Sequence, residues 1–296
     1  SSGEKLPVLF YIHGGAFIYG AASNYDGGLL STKGKVVLVT TNYRVSALGF
    51  LSTDSEAAEG NYGLRDQIAA LEWVRDNIAS FGGDASKVTI MGQSAGSASV
   101  SHLSLSPEAR GLFQRVILVS GSAAAYFGYS SHQRLMTQRL AEHYECPAGS
   151  DSAVVDCLRE ESAYTLNLLS LVYPPLTDQY LCAVVPTVDG KVVTTKPIDA
   201  MTAGFNADYD LLVGSTQHDA EPFSLPFAST PEMVDFYLDF MFSSFQNKQQ
   251  ILDLLMARYP DINSPDDDTR QRTLVKVATD FVFGSRALKE AELHTK

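Results

Sequence analysis

A serine stands between two glycines in Gly92-Gln93-Ser94-Ala95-Gly96, directly after the apolar, β-branched run Val88-Thr89-Ile90-Met91 and directly before a stretch of helical character. Strand, tight turn and helix in that order form a nucleophile elbow, which holds a hydroxyl out for attack on a carbonyl carbon. Bulky side chains at 92 and 96 would collide with backbone in such a turn, and the head of the helix favours developing negative charge. A second glycine run, His13-Gly14-Gly15-Ala16-Phe17, follows the apolar stretch Val8 to Ile12. Small residues there let main chain approach a substrate, so the N–H groups of Gly15, Ala16 and Ala95 are the expected oxyanion-hole donors. Each such donor is worth on the order of 100-fold in rate. His13 precedes these glycines, which must lie under the substrate, and is expected to brace the loop.

The elements that must position these residues are legible from periodicity. Val8 to Ile12, Val36 to Tyr43, Val88 to Met91, Val116 to Val119 and Leu211 to Val213 read as buried strands. Leu64, Ile68, Leu71, Val74 and Ile78 keep a helical rhythm that stops at Gly82-Gly83. Ala95 to Leu105 is a helix, and strands alternating with helices predict an α/β fold with a parallel sheet. Further helices are expected over Arg134 to Tyr144, Ala153 to Leu158, Met233 to Phe242, Lys248 to Tyr259 and Thr269 to Leu293. No repeat or low-complexity linker divides the chain, so residues 1–296 read as one domain.

With these motifs stand Asn42-Tyr43-Arg44-Val45, Gly49-Phe50-Leu51, Gly60-Asn61-Tyr62-Gly63-Leu64-Arg65-Asp66-Gln67, Trp73-Val74, Asn77-Ile78 and Phe81-Gly82-Gly83-Asp84. Together they resemble the type-B carboxylesterase and cholinesterase family of α/β-hydrolases over nearly the whole chain. The resemblance implies a central, mostly parallel sheet flanked by helices, truncated here at both ends. It puts the catalytic acid on Asp219 in the run Val213 to Glu221, where the family more often carries glutamate; Glu221 is the alternative acid. Ser120, in Val119-Ser120-Gly121, matches a serine that helps orient that acid. The family's histidine follows the acid in a His-Gly run, which does not occur after Asp219. His294 is the histidine left there, and the base is expected beyond Lys296, so residues 1–296 alone are expected to be inactive.

Cys146 and Cys157 match a family disulfide closing a short surface loop, which implies an oxidising compartment and secretion. Cys182 has no family counterpart to pair with. The implied reaction is two-step hydrolysis of a small-molecule carboxylic ester through an acyl-enzyme at Ser94, with no metal or organic cofactor. The alternative is a cholinesterase-like domain that keeps the fold without a complete triad and serves in adhesion or as a structural module. The stretch Ser131 to Leu158 is similar to the cholinesterase-like domain of thyroglobulin.

Composition limits the other classes. Thirty-four acidic against 22 basic residues give a formal charge of −12, which repels nucleic-acid phosphates and anionic lipid. No apolar run reaches the ~20 residues of a membrane helix, and the first residues carry no apolar leader. Asn-X-Ser/Thr sequons are absent. His102, His132 and His143 show no metal-ligand spacing, and solvated or locally hydrogen-bonded roles suffice for them.

Overall fold

The computed structural model describes residues 4–172, 184–243 and 245–295; Cys182 lies outside them. Five strands form one parallel sheet: β1 (Leu6–Ile12), β2 (Val37–Thr41), β3 (Gly83–Gln93), β4 (Arg115–Val119) and β5 (Asp210–Gly214), in the order β2-β1-β3-β4-β5. Parallel neighbours need crossover connections, and the helical segments between the strands supply them. Registers align the strand ends: Ile12 pairs with Gly92, Gln93 with Val119, and Val119 with Gly214. The loops that begin at His13, Ser94, Ser120 and Ser215 therefore leave the sheet at one edge, the carboxyl edge at which open α/β sheets place their ligands.

Side chains alternating along the strands fill the core. Val8, Phe10 and Ile12 from β1, Val88 and Ile90 from β3, and Val116 and Leu118 from β4 are buried. Helix α1 (Tyr62–Asn77) buries Leu64, Ile68, Leu71 and Val74, then tightens into a 3-10 turn, Ile78–Phe81, and stops at Gly82 with φ 81°. A left-handed residue of that kind suits glycine alone without strain.

Helix α2 (Ala95–Leu105) runs from the elbow with every residue buried, including Ser97, Ser99, Ser101, His102 and Ser104. A helix buried all round must satisfy its polar groups internally. Ser97 Oγ donates to Gly121 O at 2.8 Å, Ser104 Oγ to Ser101 O at 2.8 Å, and Gln67 Nε2 donates to Ser99 Oγ at 3.1 Å.

Short helices not expected from the sequence include Gly28–Gly34, Ser46–Phe50 and α3 (Pro197–Thr202). Downstream, α4 (Pro231–Phe242) begins at Thr230, whose side chain accepts the N–H of Met233. The helical stretch expected over Thr269 to Leu293 is helical throughout, as α5 (Asp267–Thr279) and α6 (Ser285–His294) joined by a π turn at Asp280–Gly284 that the sequence did not disclose. The turn lets Phe281 and Phe283 reach different partners: Phe281 packs at 4.4 Å from the Tyr126 ring and 4.6 Å from Phe242, Phe283 at 5.7 Å from Phe127. Periodicity of 3.6 cannot reveal such an inserted residue.

Candidate functional site

At the end of β3 the chain turns sharply, and Ser94 takes φ 57° and ψ −123°. Its N–H donates to Val119 O at 2.9 Å and its carbonyl accepts from Ala98 N–H at 2.9 Å, so both neighbouring elements hold the turn. The flanking glycines are required by space. A Cβ on Gly92 would lie 2.2 Å from Gly96 O, and one on Gly96 would lie 2.1 Å from Ile12 O. Gly121 packs below, where a Cβ would meet Ser94 O at 2.4 Å. A non-glycine residue in this backbone region is strained and persists where its surroundings fix it.

The glycine loop after β1 lies against the elbow: a Cβ on Gly14 would stand 3.1 Å from Ser94 Cβ. Gly15, Ala16 and Phe17 all have positive φ, at 116°, 56° and 62°. The loop closes on itself as Ile18 and Tyr19 donate to Gly15 O. Phe17 pins it from below, buried edge-on to Phe50 at 5.0 Å, while its carbonyl accepts from Ser46 N–H at 2.6 Å. Among the described residues no acceptor is bonded to the N–H groups of Gly15, Ala16 or Ala95.

His13 is buried and stacked on Tyr43 at 4.5 Å; its Nδ1 lies 2.8 Å from Gly14 O, and Tyr43 OH donates to His13 O at 2.9 Å. Burial pulls its pKa down. These contacts commit Nδ1 and the ring face to shaping the loop, while the buried Nε2 has no partner among the described residues.

Beyond β5, Asp219 turns back on its own loop. Its Oδ2 accepts from Thr216 N–H at 2.9 Å and its Oδ1 from Thr216 Oγ1 at 2.6 Å. Glu221, exposed, begins the short helix Glu221–Ser224. Ser120 is buried with φ 56°, and its N–H donates to Gly214 O at 2.8 Å, tying the two strand ends together. Among the described residues no hydrogen bond joins Ser120 to Asp219, and no histidine is bonded to Ser94 or Asp219. The structure thus brings Ser94, the Gly14–Ala16 loop and Gly121 together and leaves Asp219 closing a turn. His294 sits on α6 with a buried Nδ1 that has no partner among the described residues.

His102 is not solvated: it is fully buried, its Nε2 is 2.7 Å from Gly128 O, and burial pushes its pKa down to about 4. Sequence reading also passed over Glu290, buried on α6 and bonded by Ser101 Oγ at 2.7 Å. The signal for it was its spacing of three from buried Ala287, which puts it on the apolar stripe of its helix. Arg270, also buried, donates to the carbonyls of Ala228, Ser229 and Ser264.

Cys146 and Cys157 form a disulfide, with sulfurs 2.06 Å apart. Among the described residues no group of His, Cys, Asp or Glu is arranged to hold a metal ion, and no helix is long and apolar enough to cross a membrane.

The carboxylesterase family model matches residues 1–296. Neuroligin-3 of Homo sapiens is 36% identical over 305 positions, covering 100% of this chain and 35% of neuroligin-3. Neuroligin-2 of Mus musculus is 36% identical over 303 positions, covering 99% of this chain and 36% of its own length. The chain thus spans about a third of the length of these curated relatives. With its parallel sheet flanked by helices in the α/β-hydrolase arrangement, the chain belongs to the carboxylesterase family.

Proposed function

We propose that the protein is a serine carboxylic-ester hydrolase with Ser94 as its nucleophile. The observation that supports this most directly is the strained backbone of Ser94, φ 57° and ψ −123°, at the head of a buried helix. Glycine would relieve that strain, so a serine held there against its own preference argues for use of the hydroxyl. In this reading the small-molecule ester lies between Ser94 and the Gly14–Ala16 loop. The N–H groups of Gly15, Ala16 and Ala95 receive the oxyanion, an acyl-enzyme forms, and water releases it. Asp219, or Glu221 in its place, orients a histidine, and Ser120 steadies the acid. Residues 1–296 act as one carboxylesterase-type unit, and the Cys146–Cys157 bridge supports an extracellular setting.

A second reading has specific support: a cholinesterase-like domain without catalysis, whose partners are proteins. The relatives at 36% identity are named neuroligins, not esterases, and the comparisons favour this reading over the first. Asp219 spends both carboxylate oxygens on Thr216, which also agrees with it.

The two separate in one experiment on the protein at its natural full length. Treatment with an organophosphate followed by intact-mass and peptide analysis should show one adduct, on Ser94, and turnover of a chromogenic short-chain ester should vanish in Ser94→Ala. An unlabelled Ser94, or turnover unchanged in Ser94→Ala, would reject the hydrolase and leave the binding domain.

A further inference from the structure

A cleft of ≈ 300 Å³ opens between the segment after β4, the start of α3, the α4 exit and α6. It is large enough for a small organic ligand. Its walls are mostly apolar and aromatic, from Ala123–Ala125, Tyr126, Tyr129, Pro197 and Phe245, and its charged members are both cations, Lys196 and Arg286. We propose that this cleft binds an organic carboxylate with an aromatic body, the ring lying among Tyr126, Tyr129 and Phe245 and the carboxylate held between Arg286 and Lys196.

Three observations carry the assignment. First, the aromatic wall is fixed before any ligand arrives: Tyr126 packs at 4.4 Å from Phe281 and 6.0 Å from Phe245, and Phe245 at 6.0 Å from Phe242. A wall that needs no rearrangement spares a ligand the ordering cost that weakens binding.

Second, Arg286 lies with its guanidinium carbon 5.4 Å from the Tyr126 ring centroid, and no carboxylate is within 4 Å of it or of Lys196 among the described residues. Stacking holds a guanidinium plane while leaving its N–H edge free, and that edge matches the two oxygens of a carboxylate. Third, the chain carries 12 more negative than positive charges, yet among the described residues no acidic side chain lines this cleft. In an acidic protein, a local pair of unneutralised cations beside aromatic surface selects for anions and against the cations that the rest of the surface attracts. The assignment rests on none of the elbow residues and stands whether or not Ser94 is a nucleophile.

The test is calorimetric titration of the full-length protein with 1-naphthylacetate and, in parallel, with the neutral isostere 2-(1-naphthyl)ethanol. Hydrogen bonds to a charged group contribute about 1.5–3 kcal/mol, so the acid should bind at least about tenfold more tightly than the alcohol. Arg286→Gln and Lys196→Gln should each remove most of that preference while leaving the alcohol nearly unaffected. Tyr126→Leu, which keeps both cations, should weaken both ligands together. Lys196 is exposed, so its variant keeps the test valid if the Arg286 variant misfolds. Equal affinity for acid and alcohol, no measurable binding of the acid, or a preference that survives both charge variants would overturn the assignment.

Discussion

Ser101 Oγ donates a 2.7 Å hydrogen bond to Glu290 Oε1, joining α2 to α6 across 189 residues of chain. The carboxyl is wholly buried, and burial pushes its pKa up to about 7 against the opposing hydroxyls of Ser122 and Ser101. The contact that ties α6 to α2 therefore involves a carboxyl group whose charge state changes around neutral pH.

The first prediction is therefore a loss of stability on the alkaline side. The folded pKa lies above the unfolded value of 4.5, so the unfolded chain binds fewer protons in this window. The contribution is fully present below pH ~4.5 and disappears as pH rises through ~7, amounting to about 3 kcal/mol. Glu290→Gln keeps an acceptor for Ser101 and cannot ionise. In urea unfolding it should match the parent near pH 5 and exceed it at pH 8; a parent midpoint that does not fall relative to the variant between these values would refute the assignment.

His102 acts in the opposite direction. Its pKa falls from 6.5 to about 4 through burial, partly opposed by the bond to Gly128 O. The folded protein binds fewer protons here, so this contribution is present above pH ~6.5 and is lost as pH falls through ~4, again about 3 kcal/mol. His102→Gln should flatten the acid limb of the stability curve, read as unfolding midpoints at pH 4 and pH 6.5. An acid limb as steep as the parent's would show that His102 does not drive it.

The different fates of these residues show what a sequence can disclose. Ser94 was legible because an elbow needs glycine at 92 and 96, and the glycines stand in the sequence even though the close approaches to Gly96 O and Ile12 O do not. The sheet was legible because β-branched runs alternate with a helical rhythm. Glu290 and Arg270 were less legible: helical spacing places Glu290 on the apolar stripe, but the partners that let a charged residue be buried come in part from distant segments, Ser101 in one case and the 228–229 carbonyls in the other. Asp219 lies between: its register at the end of β5 follows from the motif, but its commitment to Thr216 depends on loop geometry. The π turn at Asp280–Gly284 was hidden because one added residue leaves the apolar stripe nearly intact on either side.

Removing the disulfide should lower stability modestly. Cys146 and Cys157 are 11 positions apart, and closing so short a loop limits the unfolded chain by about 2–3 kcal/mol. The doubly substituted Cys146→Ala/Cys157→Ala protein should unfold at a lower denaturant concentration, with a slope no smaller than the parent's because its unfolded chain is freer to expand. Cys157 lies within the helix Asp151–Arg159 and Cys146 ahead of it, so the loss should be accompanied by faster amide exchange in that helix. An unchanged midpoint would mean that packing of Val155 and Leu158 alone holds the segment.

Gly96→Ala tests whether the elbow and the glycine loop are one mechanical unit. The added methyl would meet Ile12 O at 2.1 Å, His13 O at 2.7 Å and His13 C at 2.8 Å, all main-chain atoms that cannot rotate aside. Either β1 or α2 must shift, and overpacking of this kind costs about 1–3 kcal/mol, occasionally more. Gly149→Ala is the matched control, because a Cβ there meets nothing within 4 Å and the position is exposed; its effect should stay within about 0.5 kcal/mol. The displaced backbone at 12–13 leads directly into Gly14, which packs on Ser94, so the shift should open the gap between the serine and the N–H groups of Gly15 and Ala16. For a hydrolase, kcat would then fall by on the order of 100-fold even at temperatures where the variant remains folded. Measuring the unfolding midpoint and ester turnover on the same Gly96→Ala sample separates the two effects. Full turnover in a destabilised variant would show that the loop reaches its donor geometry independently of the elbow.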